Sequence, residues 1–270
     1  MNPNQTNNQY DDKERFSAVC RALCEEVPSR KKIGVLSEKT LHSVIKRFIE
    51  PNETLQEVKV GGYYADIKNE DGIFEIQTRS FNKLRVKLTA YLETEKVTFV
   101  YPIPAVKRLI WIDAKTGELT TPRKSPKHGS YYDAFPEMYK LDMLIANESL
   151  CVLLLMVDMD EYRYLNGWSA DGKKGATRHE RYPIALADSL LLATKDDYEG
   201  LLPSDLCSPF TSKELATAAK IRLRIAQTVL TVLSKRGAVR CVGKRGRLNL
   251  YMKAKIADLC LYYSDPNSTI

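Results

Sequence analysis

The sequence predicts an α/β protein with a mixed central sheet, followed by a small, basic C-terminal domain. Three observations carry this expectation. The first is the order of apolar patterns from Ser37 to Ile103, which reads helix, three strands, helix, strand. The second is a pair of near-continuous apolar runs, Val97 to Ile103 and Leu150 to Val157, which suit strands covered on both faces. The third is the placement of charge. The chain has 41 Lys and Arg against 34 Asp and Glu, a net charge of +7. Between Thr211 and Lys255 lie twelve basic side chains and one acid, Glu214, so this segment carries +11 and the remainder −4. Such a local excess is the electrostatic footprint of a module that neutralises phosphates, and the expected partner is a polyanion.

The Asn- and Gln-rich stretch Met1 to Tyr10 predicts a disordered tail. An amphipathic helix with the stripe Phe16, Cys20, Leu23, Cys24 and Val27 follows, then a basic connector, Arg30 to Lys32, which closes a first piece, residues 1–32. A second helix opens at Ser37, a good N-cap, with Glu38 in its first turn. It continues through Leu41, Val44, Ile45, Phe48 and Ile49 to Pro51. Thr54 to Val60, Tyr63 to Lys68 and Ile73 to Thr78 read as strands, joined at Gly61-Gly62 and at Asn69-Glu70-Asp71-Gly72. A helix from Ser80 to Thr94 buries Phe81, Leu84, Leu88 and Tyr91 before the strand Val97 to Ile103.

Beyond it are a strand at Arg108 to Asp113 and a basic loop with Arg123, Lys124, Lys127 and His128. A helix near Ala134 to Ala146, the strand Leu150 to Val157 and a charged excursion from Gly167 to Arg181 come next. A boundary near Lys195 divides a core domain, 33–195, from a C-terminal domain, 196–270. No run approaches the roughly 18 apolar residues of a membrane span, and the polar start is no signal peptide, so a cytoplasmic protein is expected. The six cysteines lack paired spacing, which predicts neither a zinc site nor a disulfide framework. His42, His128 and His179 show no nucleophile–base spacing, and His42 reads as a packed helix residue.

In the C-terminal domain, Thr211 or Ser212 caps a short helix with Glu214 close behind. A longer helix through Lys235 turns Ile225, Val229, Val232 and Leu233 inward and leaves Arg222, Arg224, Gln227, Thr228 and Thr231 outward. Gly237 ends it, Ala238 to Val242 forms a strand, Gly243-Lys244-Arg245-Gly246 makes a basic turn, and Arg247 to Met252 returns. Over about 50 residues this order resembles the winged-helix family, which implies that the second helix enters the major groove of DNA while the wing touches the backbone. Lys244, Arg245 and Arg247 are the expected wing contacts.

Asp66 lies in one strand and Glu75 in the next, with Gln77 two residues on. Period-two geometry puts Glu75 and Gln77 on one side of their strand, and a hairpin brings Asp66 beside Glu75. Two converging carboxylates repel unless a cation lies between them, and Mg²⁺, or Mn²⁺, is held by such oxygens before it meets phosphate. With these acids in the helix–three strands–helix–strand order, the chain resembles the PD-(D/E)XK nuclease superfamily over about a quarter of its length. The resemblance implies a restriction-endonuclease-like αβββαβ core. Asp66 and Glu75 would be its catalytic acids and metal ligands, and Glu38 an additional ligand. Gln77 stands where the usual Lys would be, as in some restriction endonucleases, which leaves Lys83 or Lys87 to supply the positive charge. Arg79, Lys124 and Lys127 are further expected phosphate contacts. The implied function is a metal-dependent DNA endonuclease. The alternative is a non-catalytic DNA-binding regulator whose nuclease-like domain serves for homodimer formation or partner contact, and action on RNA is a third reading.

Overall fold

In the computed structural model, which describes residues 3–25, 39–78, 84–166 and 177–254, the chain forms an α/β fold with a mixed central sheet. Helices α1 (Pro3–Glu25) and α2 (Lys39–Ile49) are followed by a meander of β1 (Gln56–Val60), β2 (Tyr63–Asn69) and β3 (Gly72–Ile76). Next come α3 (Arg85–Leu92), β4 (Val97–Asp113), β5 (Arg123–Lys124), α4 (Phe135–Met138), β6 (Leu150–Leu165) and β7 (Thr177–Leu192). The described chain closes with α5 (Lys195–Glu199), β8 (Phe210–Thr211), α6 (Ser212–Ala218), α7 (Leu223–Lys235), β9 (Val239–Arg245) and β10 (Leu248–Lys253). The main sheet has the order β1-β2-β3-β4-β6-β7, with β5 paired to β4. No helix among the described residues is long and apolar enough to cross a membrane.

Contacts divide the chain into two compact units that are discontinuous in sequence. The first comprises Met1–Arg79, Thr98–Tyr131 and Leu153–Leu190, and the second Ser80–Val97, Tyr132–Val152 and Leu191–Ile270. In the first unit the apolar stripe of α2, Leu41, Val44, Ile45 and Phe48, packs with Phe16 and Cys20 of α1 over Ile67, Ile76, Val100, Leu155, Val157, Met159 and Leu186 of the sheet. Phe16 and Phe48 meet edge to face at 5.1 Å, the arrangement that ring quadrupoles favour. In the second unit α6 and α7 pack together, and β10 pairs with both β8 and β9 in a three-stranded sheet. Thr211 and Glu214 form a capping box at the start of α6, and Ala226, Val229, Leu230, Val232 and Leu233 are the buried face of α7.

Several elements differ from expectation. The tail predicted to be disordered is helical from Pro3, a residue whose fixed φ and missing N–H suit the first turn of a helix. The two strands expected at Val97 to Ile103 and Arg108 to Asp113 are a single strand, β4, which runs through Pro102 and Pro104. The prolines are two residues apart, so their missing donors fall on one edge and leave the other edge able to pair. Gly129 lies against this stretch, where a Cβ would stand 2.1 Å from the Pro104 carbonyl oxygen. The excursion expected from Gly167 to Arg181 is, from Thr177 onward, the start of β7; residues 167–176 lie outside the described residues. The helix expected over Ala134 to Ala146 is the short α4 followed by 3₁₀ turns broken at Asp142, which has φ +55°. With ψ −121° this lies outside the left-handed helical well, and the Asp142 carboxylate accepts a hydrogen bond from Lys235 Nζ at 2.7 Å. Arg123 and Lys124, expected in a loop, form β5.

Glu161 of β6 is fully buried, ringed by Lys107 of β4 (3.2 Å), Arg163 (2.7 Å) and Arg181 of β7 (3.0 Å). Burial alone would push its carboxyl up, but Arg181, Lys107 and Arg163 outweigh that and hold it at about 2. A carboxyl lowered in the folded state contributes stability above its ordinary value near 4.5, and that stability is lost as pH falls toward about 2. Thermal unfolding should therefore show a loss of Tm between these pH values in the wild type that is smaller in Glu161→Gln. Equal losses in the two proteins would contradict the ion cluster.

Candidate metal site

The site is built where two strands stop pairing. The β2–β3 ladder runs from Asn69↔Gly72 through Lys68↔Ile73 to Ile67↔Phe74. One step further along that register Asp66 faces Glu75, and side chains bridge the strands there. Asp66 Oδ2 accepts the Ile76 N–H at 2.7 Å, and Glu75 Oε1 accepts the Asp66 N–H at 3.4 Å. Glu75 is 2% exposed, so the Asp66 N–H gives an otherwise costly buried polar group a partner.

The other carboxylate oxygen of Asp66, Oδ1, lies 3.4 Å from His42 Nε2, on α2. The β1–β2 register, Gln56↔Ile67 and Val58↔Ala65, puts Glu57 opposite Asp66. Glu57 has φ +52°, the left-handed region that costs a non-glycine residue about 1–2 kcal/mol. Donor atoms of His42, Glu57 and Asp66 all lie within 4.8 Å of one another. Lys46, one helical turn after His42, donates to Glu57 Oε1 and brings a positive charge to the group.

Of the residues expected here, Asp66 and Glu75 are brought together. Gln77 lies one residue beyond the end of β3, not within the strand as expected, and its N–H donates to Val100 O at 2.9 Å. Glu38, Arg79 and Lys83 lie outside the described residues. Lys87 belongs to the second unit, on α3, with its ammonium 5.6 Å from the Tyr91 ring centre. His42, Glu57 and Lys46 are not among the expected site residues. Glu57 was legible by counting through the Gly61-Gly62 hairpin, which sets it against Asp66.

The basic positions divide between the units. Lys124 and Lys127 are exposed in the first unit, where Lys124 pairs with Arg108 across β4 and β5. In the second, Arg222, Arg224 and Gln227 are exposed along α7, while Thr228 is half-buried and its hydroxyl donates to Arg224 O at 3.0 Å. The hairpin turns at Gly246 and Arg247, with Gly246 at φ +63°, so Lys244 and Arg245 lie on β9 rather than in the turn expected at Gly243 to Gly246. Lys244 and Arg247 are exposed, and Arg245 donates to Glu214 Oε1 at 2.8 Å.

Residues 39–193 match the family described as a domain of unknown function, DUF8091. The chain is also similar to an uncharacterized protein of Treponema pallidum (strain Nichols), 29% identical over 84% of this chain and 89% of that protein. No solved structure matches the chain.

The bond from the Ile76 N–H gives a structural expectation separate from any chemistry. Asp66→Asn keeps an acceptor oxygen and should unfold within about 1 kcal/mol of wild type, whereas Asp66→Ala leaves the N–H without that partner and should cost about 1–3 kcal/mol in chemical denaturation. Equal stability of the two variants would contradict the bridging role.

Proposed function

The chain belongs to the DUF8091 family, and we propose that it is a metal-dependent endonuclease that hydrolyses phosphodiester bonds in DNA. The observation that carries this reading is the convergence of Asp66 and Glu75 at the point where β2 and β3 part, with one oxygen of Asp66 turned toward further donor groups. The helix, three strands, helix, strand order of α2, β1, β2, β3, α3 and β4 supports a PD-(D/E)XK-like core around these acids. A divalent cation held by Asp66 and Glu75 would supply Lewis-acid chemistry, lowering the pKa of water and offsetting phosphate charge. The bond from the Ile76 N–H would fix the orientation of the Asp66 carboxylate as it holds the cation. Lys46, held by Glu57, supports the role of a cation near the phosphate that the neutral Gln77 cannot fill.

The second unit supports DNA binding. β8, α6, α7, β9 and β10 follow the order of a winged helix, with Arg222, Arg224 and Gln227 outward on the second helix and Lys244 and Arg247 at the wing. Gln77 favours a second reading, a DNA-binding regulator without catalysis, since the group usual at that position is a cation.

Supercoiled plasmid should be cut by the wild type with Mg²⁺ or Mn²⁺ and spared with a chelator, while Glu75→Gln should lose cleavage and keep duplex affinity. A wild type that cuts no DNA, or a Glu75→Gln that cuts as well as wild type, would sink the nuclease reading and leave the regulator. Independently, replacing Lys244 and Arg247 with Ala should weaken duplex binding and lower its salt slope by about two, roughly one unit per lost phosphate contact. An unchanged slope would remove the wing from the DNA.

A further inference from the structure

We propose that the first unit carries a divalent transition-metal site formed by His42, Glu57 and Asp66, with Asp66 shared between this site and the catalytic carboxylates. This deepens the nuclease reading and rests on it only through Asp66. Its basis is the geometry. Three donor groups from three elements, α2, β1 and β2, are within 4.8 Å of one another although His42 and Asp66 are 24 positions apart in sequence. The backbone contributes as well. Glu57 occupies the left-handed region directly opposite Asp66, an unfavourable conformation for Glu in a strand. Asp66 has one oxygen committed to the Ile76 N–H and the other facing His42 Nε2, so a single carboxylate both ties the strands and offers a ligand atom.

The donor types decide the class of ion. An all-oxygen set suits Mg²⁺, which also keeps most of its waters, whereas one imidazole nitrogen with two carboxylates favours first-row transition ions such as Mn²⁺ or Zn²⁺. His42 is partly exposed, at 28%, and Glu57 more so, at 60%, which leaves room for water ligands and for an anionic substrate oxygen. Glu75 is not part of this group. Its carboxylate holds the Asp66 N–H, so it acts on the site as a positioning residue for Asp66. Lys46 donates to Glu57 Oε1 and so competes with an ion for this carboxylate.

The test titrates the full-length, metal-stripped protein with Mn²⁺ and follows free Mn²⁺ by electron paramagnetic resonance, with Mg²⁺ as competitor. The wild type should bind Mn²⁺ and resist displacement by equimolar Mg²⁺. His42→Ala and Glu57→Gln should each weaken Mn²⁺ binding by about tenfold or more while leaving Mg²⁺ binding little changed. Thermal unfolding reports whether each variant folds, and Glu57→Gln, at an exposed position, carries the test if His42→Ala does not fold. Absence of Mn²⁺ binding by the wild type would overturn the site and leave an ion-pair cluster around Lys46. Mn²⁺ binding equal in wild type and both variants would also overturn it and assign the ion to Asp66 with Glu75. Mn²⁺ binding that needs His42 and Glu57, in a protein that cuts no DNA, would uphold the site and sink the nuclease reading. Cleavage and Mn²⁺ affinity that both persist in the two variants would do the reverse.

Discussion

Backbone donors that lose their strand partners must find others, and in this protein carboxylates take that place. At the end of the β2–β3 ladder Asp66 accepts the Ile76 N–H, and Glu75 accepts the Asp66 N–H. An unpartnered buried N–H costs about 1–3 kcal/mol, so both acids are fixed by a need of the sheet itself. The same bonds fix Glu75 in a nearly closed environment, and one oxygen of Asp66 turns toward α2. The position of the candidate site thus follows from where the sheet stops pairing.

Packing positions the remaining groups. The apolar stripe of α2 fixes that helix against α1 and the sheet, and a fixed helix puts His42 and Lys46, one turn apart, beside β1 and β2. Elsewhere in the first unit, Glu161 with Lys107, Arg163 and Arg181 shows another arrangement of charge. There a buried carboxylate is fully surrounded by cations, which stabilise it and leave it no lone pair for a ligand without losing an ion pair. Asp66 instead accepts the Ile76 N–H at one oxygen and turns the other toward His42, and that difference separates a structural acid from a candidate functional one.

Much of this was legible in the residues. The stripe Leu41, Val44, Ile45 and Phe48 and the glycine turns of the meander specify α2 and the three strands, because period and turn chemistry are local properties. The pairing of Asp66 with Glu75 follows from hairpin register. Three features were not legible. The continuity of β4 through Pro102 and Pro104 was not legible, and the chain read as two strands, Val97 to Ile103 and Arg108 to Asp113, because the edge on which the prolines' missing donors fall depends on neighbours far away in sequence. Asp142 broke an expected helix for a tertiary reason, its contact with Lys235, 93 residues on. His42 reads as a packed helix residue because its partners, Glu57 and Asp66, come from strands whose distance from α2 only the folded chain defines.

Whether Asp66 binds a metal ion can be read from crystals of the full chain grown with Mn²⁺ and measured above the manganese absorption edge. An anomalous peak is expected within about 2.5 Å of an Asp66 carboxylate oxygen, the range of metal–oxygen bonds. A well-ordered Asp66 with no anomalous peak near it at saturating Mn²⁺ would rule out metal binding there.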